Sequence, residues 1–182
     1  MSTWASLIVG AILGVVFDIC IKGIWKIIIR RKEVEDNNNI NISGDWFAAW
    51  QTSVDNQQLL NTESLKIKQQ GKNVVVNNCE RAPENPRGGY LWRAKLQFYQ
   101  GRNLMGWYFP LKSENNASKG IMYMTYFSQR REFYGKWIGS GYDGELEVGF
   151  LVFAQTREGA KEKLKKLIQN HPHDVKVIGY DM

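Results

Sequence analysis

The sequence predicts an all-β domain, an eight-stranded antiparallel up-and-down barrel, with an N-terminal transmembrane helix before it and a short C-terminal helix after it. Three observations support this prediction. Short segments of alternating apolar and polar residues recur from residue 43 onward, separated by turns rich in Gly and Asn. Aromatic residues make up 13% of the chain, including seven Trp and eight Tyr, and they favour strands. Residues 4–29, in contrast, form one long apolar run.

The apolar run of residues 4–29 is long enough to cross a membrane. A helix over these positions, at ~1.5 Å per residue, exceeds the ~30 Å hydrocarbon core of a bilayer. A cleaved signal peptide is disfavoured because no basic residue precedes the run. A buried helix of a soluble domain is the weaker alternative, because this segment is apolar on nearly all sides. Arg30, Arg31 and Lys32 follow the run. The positive-inside rule therefore predicts a single-pass protein with its N-terminus outside and the remaining chain in the cytoplasm.

The predicted membrane helix has a polar stripe at intervals of four residues, formed by Gly10, Gly14, Asp18, Lys22 and Lys26. The two glycines form a small-x-x-x-small pair, which lets two helices approach closely. Asp18 and Lys22 can pair within one helix. Two interpretations stay open. In the first, Asp18 and Lys22 only neutralise each other. In the second, the stripe forms a self-association face that lines an oligomer interface or a water-filled path.

Composition divides the chain into three parts. Residues 1–32 comprise the transmembrane helix and its basic flank, and residues 33–42 are an acidic, Asn-rich linker without apolar periodicity. Residues 43–182 form the cytoplasmic β-barrel domain, which has the usual length of a single domain.

The barrel domain is predicted to contain eight strands joined mostly by hairpins. They cover residues 43–53, 62–70, 73–79, 90–99, 104–111, 120–128, 132–138 and 145–154. A helix follows from the N-cap Thr156 to Gln169, with Leu164, Leu167 and Ile168 as its apolar contacts. Residues 174–180 form a last short strand. A β-sandwich is the alternative fold.

Two of the predicted hairpins echo each other. Residues 104–108 and 133–137 share the order apolar-x-Gly-x-aromatic, around Gly106 and Gly135. Superposing the two hairpins places Phe127 on Phe98. This register predicts that four residues of the sixth strand point into the barrel: Ile121, Tyr123, Thr125 and Phe127.

Several local features resemble lipocalin-like barrels: the Gly-x-Trp start at Gly44-Asp45-Trp46, the paired φ-x-Gly-x-aromatic strands, and the Gly-Tyr-Asp-Gly turn of residues 141–144. A barrel of this kind behind a membrane anchor resembles the transmembrane β-barrel effectors of bacterial cyclic-oligonucleotide anti-phage systems. The commonest pattern in that family has two membrane helices, whereas one is predicted here.

The resemblance implies a function and partners. The barrel would bind a cyclic di- or trinucleotide made by a partner cyclase, and binding would drive homo-oligomerisation. The membrane segments, in contact with lipid, would then disrupt the bacterial inner membrane as an antiviral defence. No nucleic acid polymer is expected as a partner.

The residues themselves favour binding over catalysis. His171 and His173 are the only histidines, and no Ser-His-Asp, Walker or CxxC arrangement is present in the sequence, so we expect no enzyme, no metal and no cofactor. Aromatic side chains can stack on nucleobases. The predicted ligand-binding residues face the barrel interior and are Trp46, Trp50, Tyr90, Trp92, Tyr108, Tyr123 and Trp137. The alternative for each of these residues is that it packs in the hydrophobic core of the barrel and binds no ligand.

Charge and interior lining discriminate between the possible functions. Arg93 is predicted to point outward, while Arg130 and Arg131 lie in a turn at a barrel mouth, where they meet either phosphate or solvent.

The alternative function is a membrane-tethered lipocalin-like binder of an apolar ligand, such as a fatty acid, without a signalling role. A filled barrel that acts only as a scaffold is a third possibility. A wholly apolar interior favours lipid, whereas inward Arg, Lys or Asn favours a nucleotide.

Overall fold

A computed structural model describes residues 18–25, 27, 40–54, 57–84, 89–112, 118–140, 146–171 and 177–178. The strands are β1 (Gly44–Val54), β2 (Gln57–Gln70), β3 (Asn73–Asn78), β4 (Trp92–Tyr99), β5 (Asn103–Pro110), β6 (Gly120–Phe127), β7 (Glu132–Ser140), β8 (Leu146–Ala154) and β9 (Val177–Ile178). Helix α1 covers residues 18–25, and helix α2 is Arg157–Asn170.

The strands form a closed barrel. Each strand from β1 to β8 pairs antiparallel with the next, and β1 returns to β8 through Phe47↔Ala154 to Trp50↔Leu151. The short β9 pairs with Leu146 and Glu147 at the start of β8. The predicted eight-stranded up-and-down barrel is thus confirmed, as is the C-terminal helix, and the β-sandwich alternative is wrong.

Two glycines allow neighbouring strands to approach closely as the sheet curves. A Cβ atom added to Gly106 would lie 2.1 Å from the backbone oxygen of Lys95. One added to Gly135 would lie 1.9 Å from the backbone oxygen of Tyr123. No side chain fits at these distances, so the glycines of the repeated motif mark positions of tight backbone approach.

One end of the barrel, here called the closed end, is where β1 begins. Ile42 is fully buried there, and the Trp46 indole N–H donates a 2.8 Å hydrogen bond to the Ile42 carbonyl. The Ile42 N–H in turn donates to the Gln69 side chain at 2.9 Å. Ile42 and Trp46 fill this end of the barrel and are here called the plug. The interior beyond the plug is filled with apolar side chains from β1 to β8, including Leu65, Leu104 and Phe133. The opposite end is called the cavity end.

Helix α2 packs against the outside of the barrel. Its Ala160 and Leu164 are fully buried against a second apolar cluster, formed by the outward side chains of β1 and β8. Consequently β8 is buried on both faces, which explains its continuous apolar sequence from Phe150 to Ala154. The Thr156 hydroxyl accepts a 3.1 Å hydrogen bond from the Gly159 N–H, so the predicted N-cap is confirmed.

The predicted contacts of α2 are confirmed as well, because Leu164, Leu167 and Ile168 all pack on this cluster. Two other predictions need correction. Strand β2 begins at Gln57, five residues before the predicted start at residue 62. The face assigned to β6 is wrong: Met122, Met124 and Tyr126 are buried, while Ile121 is 51% exposed and Tyr123 48% exposed.

Turn length explains the error in β6. The β4–β5 turn has three residues between Tyr99 and Asn103, whereas the β6–β7 turn has four between Phe127 and Glu132. The second strands of the two hairpins superpose as expected, but one extra turn residue shifts the first strand by one position. Since side chains alternate between faces, that shift exchanges the inner and outer faces of β6.

Only part of the predicted membrane segment falls within the described residues. In α1 the Lys22 ammonium lies 2.5 Å from the Asp18 carboxylate, so the predicted i,i+4 pair is confirmed. Gly10, Gly14 and Lys26 lie outside the described residues, as does most of the run of residues 4–29. No helix in the described part of the chain is both long and apolar enough to cross a membrane.

Candidate functional site

A small cavity lies at the cavity end of the barrel. Its volume is about 40 Å³, which accommodates a few water molecules, while typical ligand pockets measure about 300–1,000 Å³. The lining residues come from β1, β4 to β8 and the segments next to them: Trp50, Thr52, Tyr90, Trp92, Tyr108, Ser118, Met122, Trp137, Glu147 and Leu151.

Four of the lining side chains form a chain of edge-to-face aromatic contacts. The ring centroids of Trp50 and Trp137 are 6.1 Å apart, those of Trp137 and Tyr108 are 6.3 Å apart, and those of Tyr108 and Trp92 are 6.4 Å apart. Each pair is close to perpendicular, the arrangement that aromatic quadrupoles favour. The rings meet edge to face, so a planar ligand would have to displace a ring in order to stack.

Hydrogen bonds fix several of these rings. The Tyr90 hydroxyl donates to the Ser118 carbonyl at 2.8 Å, and the Tyr108 hydroxyl and the Ser118 hydroxyl are also 2.8 Å apart. The Trp137 indole N–H donates to the Gln51 carbonyl at 2.9 Å. Burial, assisted by the negative charge of Glu147, raises the pKa of Tyr108 above its ordinary value, so this hydroxyl stays protonated.

The aromatic side chains that line the cavity are here called the aromatic wall: Trp50, Tyr90, Trp92, Tyr108 and Trp137. A buried carboxyl group lies behind this wall. Glu63 is 1% exposed, and its Oε2 accepts a 2.6 Å hydrogen bond from the Trp92 indole N–H. Burial raises the pKa of Glu63 to about 8, although the nearby N–H groups of Trp92, Asn78 and Trp50 oppose the rise. At neutral pH this side chain is therefore mostly an uncharged carboxylic acid.

Asn78 links this acid to the segment that precedes β4. Its side-chain NH₂ donates to the carbonyls of Glu80 and Tyr90 at 2.9 and 3.0 Å, and it contacts the Glu63 carboxyl at 3.4 Å. Its side-chain oxygen accepts a 2.6 Å hydrogen bond from the backbone N–H of Trp92. Asn78 thus holds both Tyr90 and Trp92 at the rim of the cavity.

Asn61 is a further buried polar residue on this face. It is fully buried, and neither its amide oxygen nor its amide nitrogen has a hydrogen-bond partner among the described residues. An unpartnered polar group in a protein interior costs roughly 1–3 kcal/mol. The Trp50 indole N–H, directly across the β1–β2 pair from Asn61, also makes no hydrogen bond of normal geometry.

Five of the seven predicted ligand-binding residues line this cavity: Trp50, Tyr90, Trp92, Tyr108 and Trp137. Trp46 points inward as predicted but belongs to the plug at the closed end. The predicted inward orientation of Tyr123 is wrong, because its side chain lies on the outer surface.

Sequence analysis missed Asn61, Glu63 and Asn78 as interior residues. The signal was present in β2, where Asn61 and Glu63 continue the alternation of Leu65 and Ile67. The predicted strand start at residue 62 leaves out Asn61, and polar side chains such as that of Glu63 are seldom found in a protein interior.

No cationic side chain lines the cavity, since none of its lining residues is Lys or Arg. Arg93 points outward as predicted, and its Nε donates to the Asn77 side chain at 2.7 Å. Arg130 and Arg131 lie in the β6–β7 hairpin turn as predicted, at the closed end, which is the barrel end opposite the aromatic cavity.

The site therefore combines aromatic rings with hydroxyl groups and the Glu147 carboxylate, and a flat group could enter it only where a ring moves aside. No cluster of His, Cys, Asp or Glu suited to a metal ion occurs within the described ranges. No protein-family model matches the chain, and no curated protein sequence matches it significantly.

Proposed function

We propose that this protein is a membrane-anchored effector of anti-phage defence whose cytoplasmic barrel binds a cyclic di- or trinucleotide at the cavity end. The observation that carries the proposal is the meeting of five aromatic rings with buried, uncharged hydrogen-bonding groups at one end of the barrel. Nucleobases are flat, stack on aromatic rings and require hydrogen-bonding partners at their edges.

The interior polar groups favour a nucleotide over a fatty acid. An aliphatic chain inserted into the barrel would leave Asn61 and the Trp50 N–H without partners and would remove any water from them. A nucleobase, in contrast, supplies donors and acceptors.

The distribution of charge supports a position at the rim for the phosphates of the proposed ligand. The cavity has no cationic lining residue, so it suits bases better than phosphates. The segments around the cavity end have exposed cations, namely Arg81, Lys112 and Lys119. Phosphates that remain at the surface would meet these side chains while keeping most of their hydration.

The closed end suits an orientation toward an anionic membrane. Exposed cations occupy its three hairpin turns: Lys72, Arg102, Arg130 and Arg131. The chain from the proposed transmembrane segment, residues 4–29, also enters β1 at this end. Basic residues near the cytoplasmic leaflet are attracted to anionic lipids. In this orientation the cavity opens away from the membrane, where a soluble nucleotide arrives.

Ligand-driven assembly is the proposed output, with oligomers of the membrane segment disrupting the inner membrane. The ion pair of Asp18 and Lys22 lies on the polar stripe that would form the contact between helices. On the barrel, Met105 is registered opposite Tyr123 and Trp107 opposite Ile121, and all four side chains are about half exposed or more. A contiguous apolar surface of this kind is typical of a protein interface.

Calorimetric titration of the full-length protein in detergent tests the ligand. The panel contains cyclic di- and trinucleotides, their linear counterparts and a fatty acid. We expect at least one cyclic nucleotide to bind and to raise the melting temperature, and its linear counterpart to bind more weakly. Failure of every cyclic nucleotide would refute the proposal, and binding of the fatty acid alone would establish the apolar-ligand alternative.

A further inference from the structure

We propose that Asn61 is the base-recognition residue of the barrel and that Trp50 is the movable side chain that covers it. In the bound state a nucleobase takes the place of the Trp50 indole and pairs one donor and one acceptor on its edge with the Asn61 amide. This inference rests on the proposed function, because it names the subsite that a cyclic nucleotide would use.

The orientation of Asn61 follows from the strand register. Residues directly opposite each other in an antiparallel pair point to the same face of the sheet. Asn61 is opposite Trp50, as Glu63 is opposite Ala48 and Leu65 is opposite Trp46. Ala48, Trp46 and Leu65 belong to the barrel interior, so the side chain of Asn61 points there as well.

Asn61 differs from the other interior polar residues in lacking partners. The Glu63 carboxyl accepts from Trp92, and both ends of the Asn78 amide are hydrogen-bonded. In the part of the chain that the structure describes, both polar atoms of Asn61 are buried and unpartnered. A side-chain amide presents a donor beside an acceptor, which is the pattern that pairs with two adjacent atoms on the edge of a base.

Trp50 is the cross-strand neighbour of Asn61 and also lines the existing cavity. Its indole lines the 40 Å³ cavity and meets Trp137 edge to face, and its strand position is directly across from Asn61. Its N–H makes no hydrogen bond of normal geometry, and the residue is only partly buried. Trp92 and Trp137, in contrast, each donate a hydrogen bond that fixes the ring. Of these three indoles, Trp50 is therefore the one held least firmly, because its N–H acts on the Glu63 carboxyl without a hydrogen bond of normal geometry.

The chain supplies a matched control for Asn61. Gln51 is also fully buried with both amide atoms unpartnered among the described residues. It lies on the outward face of β1, opposite Leu60, which packs on the cluster beneath α2. A ligand inside the barrel meets Asn61 and not the side chain of Gln51.

The test compares Asn61→Leu and Gln51→Leu in the full-length protein, using the tightest-binding cyclic nucleotide of the panel as the probe. Both variants remove an unpartnered amide, so we expect neither to lower the melting temperature of the free protein. For Asn61→Leu we expect at least a tenfold loss of affinity, and for Gln51→Leu no change. If Asn61→Leu does not fold, as judged by circular dichroism, Asn61→Ala takes its place.

A second variant tests the movable ring. We expect the nucleotide to change the tryptophan fluorescence of the wild type, because the Trp50 indole leaves its place, and we expect most of this change to be lost in Trp50→Phe. Unchanged affinity in Asn61→Leu, or the full fluorescence change in Trp50→Phe, would overturn the inference while leaving nucleotide binding intact. Failure of the wild type to bind any cyclic nucleotide would overturn the proposed function and this inference together.

Discussion

Trp92 and Glu63 form a 2.6 Å hydrogen bond inside the barrel, with the indole N–H as donor and the carboxyl Oε2 as acceptor. The bond joins β4 to β2, which are not neighbours in the sheet. It fixes one wall of the cavity and places a titratable group where water does not reach. The protonation state of Glu63 is thereby linked to the stability of the barrel.

The first prediction concerns pH. Burial raises the pKa of Glu63 from 4.5 to about 8, so between these values the folded protein keeps a proton that the unfolded chain has lost. The contribution of Glu63 to stability is therefore present below pH 4.5 and is lost as the pH rises toward 8. We expect the free energy of unfolding of the wild type to fall, relative to Glu63→Gln, by up to about 1.4 kcal/mol per pH unit over this range.

Urea unfolding at several pH values, followed by tryptophan fluorescence, measures this difference. Glu80 is the other carboxylate that acts on Glu63, and it is paired with Arg157, so the Glu63→Gln comparison should be made with that pair intact. The control is Glu162→Gln on the exposed side of α2, which should follow the wild type. Parallel stability curves for the wild type and Glu63→Gln would contradict the prediction.

The second prediction concerns the glycine in β7. A Cβ atom on Gly135 would lie 1.9 Å from the backbone oxygen of Tyr123, and backbone cannot move aside as a flexible side chain does. We expect Gly135→Ala to lower the free energy of unfolding by about 2–4 kcal/mol. Gly23→Ala is the matched control, because no atom of the described residues lies within 4 Å of the added Cβ atom. Thermal unfolding of both variants measures the difference. Equal melting temperatures would show that β6 and β7 can move apart without a loss of stability.

The third prediction concerns the helix on the outside of the barrel. Leu164 is fully buried between α2 and the outward faces of β1 and β8, whereas Leu167 is only partly buried there. We expect Leu164→Ala to destabilise the protein by about 2–5 kcal/mol and Leu167→Ala by clearly less. Chemical denaturation gives both values. Similar small losses would mean that α2 contributes little to the stability of the barrel.

The fourth prediction concerns the polar stripe. If Asp18 and Lys22 belong to the self-association face, replacing both with Leu should abolish growth arrest in cells that contain the activating nucleotide. The exchanged variant Asp18→Lys/Lys22→Asp keeps the i,i+4 pair and should retain at least part of the activity. Growth curves, with immunoblots of the membrane fraction to confirm equal expression, make the measurement. Undiminished arrest in the Leu variant would assign the stripe no role in assembly.

Much of the fold was predictable because it depends on local patterns. Alternation in residues 90–99 places Trp92, Ala94, Leu96 and Phe98 inside the barrel, as observed. The turns between the strands and the cap at Thr156 follow from short sequence signals that need no distant partner. Five of the cavity-lining aromatics were found for the same reason.

The sequence by itself determined the class of fold, the strand count, the inward aromatics of β1, β4, β5 and β7, and the helix that covers β8. Only the tertiary structure decided which face of β6 is buried, because both faces of that strand are apolar and one extra residue in the β6–β7 turn selects between them. It also placed Arg130 and Arg131 at the closed end and brought Asn61 and Glu63 behind the aromatic wall. Those positions depend on how distant strands pair around a closed barrel, and alternation within a single strand does not contain that information.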